Sequence, residues 1–588
     1  MIQTITRITL IVFLVLLIHT TAHTQKKHQP FQSNETLTWS DCIAQWKTLD
    51  SLHADAELVE IGVADCGKMM HLFVINKEKK FRLQSLSQKK NIVLINNAIH
   101  PGEPDGVDAS LMLCRELLDT LRPIHKLLDS LVVCVIPMYN IDGALRRNNH
   151  TRANQDGPAS YGFRGNAKNL DLNRDFIKCD SKNALFFNSV FTFIQPTVLI
   201  DTHVSDGADY PYTMTLITTG PGKLGSHGDF LKNVIEKQIY KSMEEMGDPI
   251  CPYVTTVGST PETGIEDFYE SPRYSTGYGA LYGTYGFVTE SHMLKPYAQR
   301  VESTYRILLS ILETTWKNNS SMLNFRSKWL DEMKTVKRWP LNYIPDTTRW
   351  DTFHFHGYTA EVKPALVGKG ERIFYNHNKP WNKDIRWYRY NIPIDSVDIP
   401  DYYLLPQAYT EVMERLRANG VKFYPCQKDT SIEIVAQFFD QIKSLQQPYE
   451  AHYYHENFKI SERLQKVTVY KGDWIIPVNG ASRRYLIETM EAKAVDSFFR
   501  WNFFDAALQQ KEWYSDYVFE EKAKEILDAN KPLREAFDLK MKTEYLFAEN
   551  HREQLTWIYR QSKYFEGTAF MNPVLRLNKK TAGILGIQ

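Results

Sequence analysis

The sequence predicts an α/β fold: a mixed, mostly parallel central sheet with helices on both faces, followed by a C-terminal α+β region. Between residues 91 and 290, short and wholly apolar runs alternate with amphipathic stretches of helical length. Strands of a parallel sheet, buried on both faces, read this way. Beyond residue 345 the texture changes to aromatic-rich alternation and then to helical spacing, which implies a second, mixed unit.

Taken in order, the chain begins with its only long apolar run, ITLIVFLVLLI at 8–18, preceded by Arg7 and followed by the polar stretch HTTAHTQ. The run is well short of the ~20 residues a membrane-crossing helix needs. Its charged, apolar and small-residue order is that of a secretory signal peptide, assigned to residues 1–24. The expected product is secreted or periplasmic, with no membrane span once the signal is cleaved.

The first strand, IVLIN at 92–96, runs into AIHPGE and then a helix at 107–121. LVVCVIP at 131–137 is the second strand. A long polar loop follows, NNHTRANQDGPASYGFRGNAKNLDLNRDF, then a helix at 182–193. TVLID at 197–201 is the third strand and leads directly into Thr202 and His203. A helix at 228–246, the strand YGFVTE at 285–290 and a helix at 298–316 complete the region.

Residues 335–346 carry Pro340 and Pro345 and few apolar side chains, so a first domain is assigned to 25–335 and a C-terminal extension of unassigned role to 345–588. Within the extension 352–362, 373–375 and 385–390 read as strands, and 494–543 as mostly helical. No internal repeat or low-complexity tract is present.

Composition narrows the functional classes. A chain of 588 residues exceeds the ~100–200 typical of one domain, and 43% hydrophobic with 24% charged residues excludes wholesale disorder. Seventy Lys and Arg balance 69 Asp and Glu. No global field therefore draws the chain to nucleic acid or anionic lipid. The seven cysteines form no CxxC pair, which argues against a thiolate zinc cage and a redox motif, while an oxidising compartment permits one or two disulfides.

The chemistry concentrates at strand ends, where ligands gather in open α/β sheets. His100 and Glu103 follow the first strand in HPGE, and His203 follows the third. Two histidines and a carboxylate are one ligand set of hydrolytic zinc sites, which keep a position open for water. Glu290 ends the fourth strand and is a candidate general base and acid. Arg146, Arg147, Arg152, Arg164 and Arg174 in the long loop offer guanidinium groups for a carboxylate or a developing oxyanion.

The set HPGE, LDLNRDF, strand-DTH and strand-TE, in that order, resembles the zinc metallocarboxypeptidase family, carboxypeptidase A-like, in a secreted bacterial-type version over about residues 38–318. The resemblance implies one Zn²⁺ held by His100, Glu103 and His203, with Glu290 as general base and acid. It implies that Asp171 orients the first ligand imidazole and that Asn173 and Arg174 bind the terminal carboxylate of a peptide substrate. Arg152 in HTRAN best matches the arginine that stabilises the oxyanion, with Arg147 and Arg164 as alternatives.

The family also contributes a mobile tyrosine. The stretch SPRYSTGYGALYGTY offers Tyr274, Tyr278, Tyr282 and Tyr285, of which Tyr278 is slightly favoured, and Arg273 there is a candidate for selecting an acidic side chain. His354, His356, and the His452, His455 and Glu456 of HYYHE lack a third ligand at a matching strand edge and read as packed or exposed histidines. The alternative functions are a zinc amidase acting on N-acyl amino acids or cell-wall peptides, and a catalytically inactive binding protein on the same scaffold. A polysaccharide-binding distal region is a further expectation to test.

Overall fold

A computed structural model describes residues 29–82 and 89–586. The signal-peptide expectation, at 1–24, lies outside the described residues. Among these, no helix is long and apolar enough to cross a membrane. The chain forms two compact units, Met1–Trp329 with Pro345–Asn391 and Leu330–Ile344 with Ile392–Gln588.

The first unit is built on an eight-stranded sheet. Its strands are β1 (Ala56–Val63), β2 (Met69–Ile75), β3 (Asn91–Asn96), β4 (Leu131–Ile136), β5 (Val198–Ser205), β6 (Met214–Thr218) and β7 (Cys251–Pro252). The short β8 (Thr255–Thr256) and β9 (Ile265–Glu266) lie apart from it, and β10 (Tyr285–His292) rejoins it. The order is β1-β2-β4-β3-β5-β10-β6-β7. The central pairs β4·β3, β3·β5 and β5·β10 are parallel, whereas β1·β2, β2·β4 and β10·β6 are antiparallel. The sheet is thus mixed, with a parallel heart made of the four strands that the apolar runs predict.

Side chains alternate across a strand, and both faces of this sheet are apolar. On one face Val93, Ile95, Val133, Val135 and Ile200 share a core with Val107, Leu111, Leu117, Val301 and Leu308, which come from the helices Asp105–Leu118 and Tyr297–Lys317. On the other, the helix Lys182–Ile194 brings Phe187 and Phe191 against Tyr278, at ring-centroid distances of 6.3 and 5.1 Å. With a helix layer on each side, the free edge for a site is the one where β3, β5 and β10 end.

The expected domain boundary assigns everything beyond 345 to the extension, but the strands Asp351–Pro364 and Glu371–Tyr388 form a long hairpin that belongs to the first unit. The reason is burial: Phe355, Ile385 and Trp387 close a core with Tyr210, Tyr212, Cys251 and Ile265. Arg389 also forks onto the Glu236 carboxylate at 2.8 and 2.9 Å.

The second unit contains a four-stranded sheet of Tyr424–Pro425, Trp474–Pro477, Tyr402–Leu405 and Leu575–Leu577, and a hairpin of Thr430–Ser444 with His455–Val469. The helices Asp516–Ala529 and His551–Arg560 share a small core around Phe519, Leu527, Leu555 and Ile558. The helical expectation for 494–543 holds only from Asp516 onward. Upstream, Phe498, Phe499, Trp501 and Phe504 are all buried at spacings that no single helix face provides, so the chain there turns instead. His455 is bracketed by Ser444 Oγ at 2.7 Å and Asp505 Oδ1 at 2.9 Å, which ties the hairpin to that segment. All seven cysteines are free and only Cys66 is exposed.

Candidate metal centre

After β3 the chain makes a tight turn before the helix Asp105–Leu118, and the buried Asn97 pins it. Its Oδ1 accepts from Ser110 Oγ at 3.1 Å and Thr202 Oγ1 at 3.0 Å, while its amide donates to the Ile136 carbonyl at 3.2 Å. Gly106 lets the helix approach β5, since a Cβ there would sit 2.0 Å from Thr202 Oγ1. Glu103 N–H donates to the His100 carbonyl at 2.9 Å. This folds the two side chains together, His100 Nδ1 lying 3.3 Å from Glu103 Oε1.

His203 arrives from β5, with Nδ1 3.1 Å from Glu103 Oε2. Ligand atoms of His100, Glu103 and His203 lie within 4.8 Å of one another, and all three residues are buried. The outer nitrogens are held as firmly. Asp171 caps the short turn Leu172–Arg174 through Asn173 N–H and stands 2.9 Å from His100 Nε2. Asp201 Oδ2 is 3.0 Å from His203 Nε2, and its Oδ1 accepts from Asn96 Nδ2 at 3.1 Å.

Each ring therefore turns Nε2 to a carboxylate and Nδ1 to the centre, the arrangement that fixes tautomer and orientation in histidine metal ligands. His100 Nδ1 is buried without a hydrogen bond among the described residues. Two imidazole nitrogens and a carboxylate, with an open side on a cavity, fit zinc. Electrostatics agree. Burial alone would raise the Glu103 carboxyl, yet His100 and Arg152 hold it well below the usual carboxylate range. Burial would lower His203, but Asp201 and Glu103 push it well above the ordinary histidine value. The centre is thus rich in negative charge that a cation neutralises.

A cavity of about 420 Å³ opens over the triad, and its wall includes Arg152, Arg164, Asn173, Arg174 and Glu290. Arg152 Nη1 donates to Glu103 Oε1 at 2.9 Å. Arg164 also reaches Glu103, at 3.4 Å, and donates through Nε to Asp171 at 3.0 Å. Arg174 donates to the Asn173 carbonyl at 2.9 Å and lies over the Tyr274 ring at 4.5 Å. Burial raises the Glu290 carboxyl to about 8; the nearby carboxylates of Glu103, Glu270 and Asp201 add to the rise, and His203 opposes it.

Several sequence expectations are redistributed. Tyr278, the favoured mobile tyrosine, is fully buried between Phe176 and Phe191, because the helix Ser275–Ala280 turns it into the core. Tyr282 and Tyr285 are buried as well, and of the four it is Tyr274 that lines the cavity. Arg273 is absent from the lining, where Glu270 stands instead. Arg147 spends its guanidinium on Ser160 and the carbonyls of Thr36 and Leu37, a structural role. His354 pairs with Asp384 at 2.8 Å, and His452 packs on Trp501 and Phe503.

Asp201, Tyr253 and Glu270 are the site residues that the sequence reading omits. Asp201 was within reach, because residues two apart on a strand share a face and Asp201 precedes His203 by that interval. Tyr253 and Glu270 sit in loops with no spacing signal.

Comparison with known proteins covers the part of this site that holds His100, Glu103, Asp171, Asn173 and Arg174. Residues 42–192 match the zinc carboxypeptidase family. "Probable carboxypeptidase 2" of Arthroderma benhamiae is 27% identical over 121 residues, which cover 21% of this chain and 20% of that protein. The chain thus spans about a fifth of the curated relative it matches. Among solved structures, a metallo-carboxypeptidase from Burkholderia cenocepacia is 17% identical with a TM-score of 0.35, covering 46% of this chain and 68% of that one. The carboxypeptidase A of Helicoverpa armigera is 13% identical with a TM-score of 0.37, covering 53% and 81%.

Proposed function

We propose, because residues 42–192 match the zinc carboxypeptidase family, that the chain is a metallocarboxypeptidase removing the C-terminal residue of peptides with one zinc ion per chain. The observation that carries this reading is the shared cavity: Asn173 and Arg174 line the same wall as the His100, Glu103 and His203 cluster and Glu290. A free terminal carboxylate gripped by Asn173 and Arg174 leaves the last peptide bond close to that cluster.

His100, Glu103 and His203 would hold zinc, which when bound supplies Lewis-acid polarisation of a carbonyl and acidifies water. Glu290, as the base, takes the proton from the attacking water and returns it to the departing amine nitrogen. Arg152 donates to the carbonyl oxygen as negative charge develops there. Asp171 and Asp201 keep the two imidazoles turned toward the centre. The amine leaves as the free terminal amino acid, and no covalent acyl-enzyme is required.

Mass spectrometry on paired peptides, one with a free C-terminus and one amidated, tests the reading. Loss of single residues from the free peptide alone is expected, and equal cleavage of both would remove the role given to Asn173 and Arg174. We place the mature protein in a secreted or periplasmic compartment on the strength of the segment 1–24, and N-terminal sequencing of exported protein checks it.

A further inference from the structure

The second unit holds a cavity of about 540 Å³, within the ~300–1,000 Å³ of small-molecule sites, and the proposed peptide chemistry uses none of its residues. The hairpin strand His455–Val469 forms part of its wall. Side chains two apart on a strand share a face, and Phe458, Ile460 and Glu462 all line the cavity, with Gln437 directly opposite Glu462 in the hairpin register. Phe458 is held by Phe439 and Phe499, at ring-centroid distances of 5.8 and 4.7 Å. A packed apolar patch thus adjoins polar groups.

Glu491, just past the helix Arg483–Met490, belongs to the same lining and is 5% exposed. Its Oε1 accepts from the Tyr403 hydroxyl at 2.7 Å and lies 3.3 Å from Arg576 Nε. Among the described residues Oε2 takes no hydrogen bond. Burial raises the carboxyl, against Arg576 and the Tyr403 hydroxyl, and the nearby Glu462 adds to the rise. A buried acceptor without a partner is costly. Arg576 already supplies a counter-charge, so what Oε2 lacks is a hydrogen-bond donor and not a second cation.

The rest of the lining points to a ligand without net charge. Its four basic and three acidic side chains nearly cancel, and Arg338 is paired with Asp398 at 2.9 Å. A cation or an anion entering alone meets about as much repulsion as attraction. Lys459, exposed on the lining, has no hydrogen bond or ion pair among the described residues and is an open donor. An open acceptor and an open donor beside an apolar patch suit hydroxyl groups, which donate and accept at once.

We infer that the second unit binds a neutral saccharide in this cavity, with one hydroxyl donating to Glu491 Oε2, another accepting from Lys459, and the C–H face of the sugar ring against Phe458 and Ile460. The assignment is independent of the peptidase reading, since the cavity lies wholly within the second unit.

Calorimetric titration of the full chain tests it, with maltotriose, cellotriose, xylotriose and triacetylchitotriose as neutral probes and trigalacturonate and L-alanyl-L-alanine as charged ones. At least one neutral trisaccharide is expected to bind with Kd below about 1 mM, and more tightly than either charged probe. In Glu491→Gln that binding is expected to weaken at least about tenfold, the scale of one hydrogen bond to a charged group, with circular dichroism unchanged. Should Glu491→Gln not fold, Lys459→Ala decides, because its exposed side chain holds nothing else in place, and a several-fold loss is expected there. Failure of all four neutral probes to bind overturns the assignment. So does tighter binding of trigalacturonate or the dipeptide, or saccharide binding that the deciding variant leaves unchanged.

Discussion

Glu290 stands directly opposite His203 in the parallel pairing of β10 with β5. Partners in register point to the same side of a sheet, so this pairing alone puts the carboxylate on the face that carries the metal ligand. The base is therefore set by backbone hydrogen bonds of the rigid sheet and not by a loop. Replacing Glu290 with Gln keeps the shape and removes proton transfer. The variant is expected to retain zinc, measured by elemental analysis, while kcat falls by about 10²–10⁴-fold. Turnover within tenfold of wild type would assign the proton shuttle elsewhere.

The same residue predicts the acid side of the pH profile. Burial, reinforced by Glu103, Glu270 and Asp201, raises its carboxyl to about 8 with no cation present. Only the ionised form acts as base, so kcat/KM falls as pH drops through the group's pKa, by up to tenfold per pH unit. A bound divalent cation favours the ionised form, which moves the limb below 8 in the zinc-loaded protein. Initial rates from pH 5 to 9 on a free-carboxylate peptide check both the sign and the displacement, and in Glu290→Gln the limb is expected to vanish from the residual rate.

Asp201 bonds the outer nitrogen of His203 and is itself held by Asn96. Partners that orient a ligand histidine typically contribute 10–100-fold in metal affinity. Asp201→Ala is expected to weaken zinc binding by about that factor, read by competition with a chromophoric chelator, with circular dichroism unchanged. Removing zinc with chelator is expected to abolish peptide cleavage in the wild type and to do so at lower chelator concentration in the variant. Unaltered affinity would reduce Asp201 to a packing role.

The sequence disclosed most of this centre because its parts obey short-range rules. Apolar runs of strand length locate β3, β4, β5 and β10, and strand ends locate His100, Glu103, His203 and Glu290. What stayed hidden depends on the tertiary packing. The run Met69–Ile75 is as apolar as the parallel strands, yet nothing local assigns it to the antiparallel β2. The hairpin Asp351–Tyr388 follows two prolines that read as a domain break, and only the burial of Phe355, Ile385 and Trp387 returns it to the first unit. Tyr274 and Tyr278 have similar surroundings in sequence, and one turn of the helix Ser275–Ala280 decides which faces the cavity. Glu270 has no motif at all.

Two arginines on one cavity wall are expected to fail differently when changed. Arg174, beside Asn173, is assigned to the substrate carboxylate, a contact made equally before and during reaction. Arg152, 2.9 Å from Glu103, is assigned to charge that exists only as the carbonyl is attacked. Loss of an interaction uniform along the reaction raises KM, whereas loss of one confined to the transition state lowers kcat. Arg174→Lys is therefore expected to raise KM for free-carboxylate peptides with a smaller effect on kcat, because a lysine keeps the charge but not the bidentate fork. Arg152→Ala is expected to lower kcat by about 10²–10³-fold, the usual cost of one oxyanion donor. Arg164 reaches the same Glu103 oxygen at 3.4 Å, so Arg164→Ala is the control. A larger kcat loss there than in Arg152→Ala would transfer the oxyanion role to Arg164.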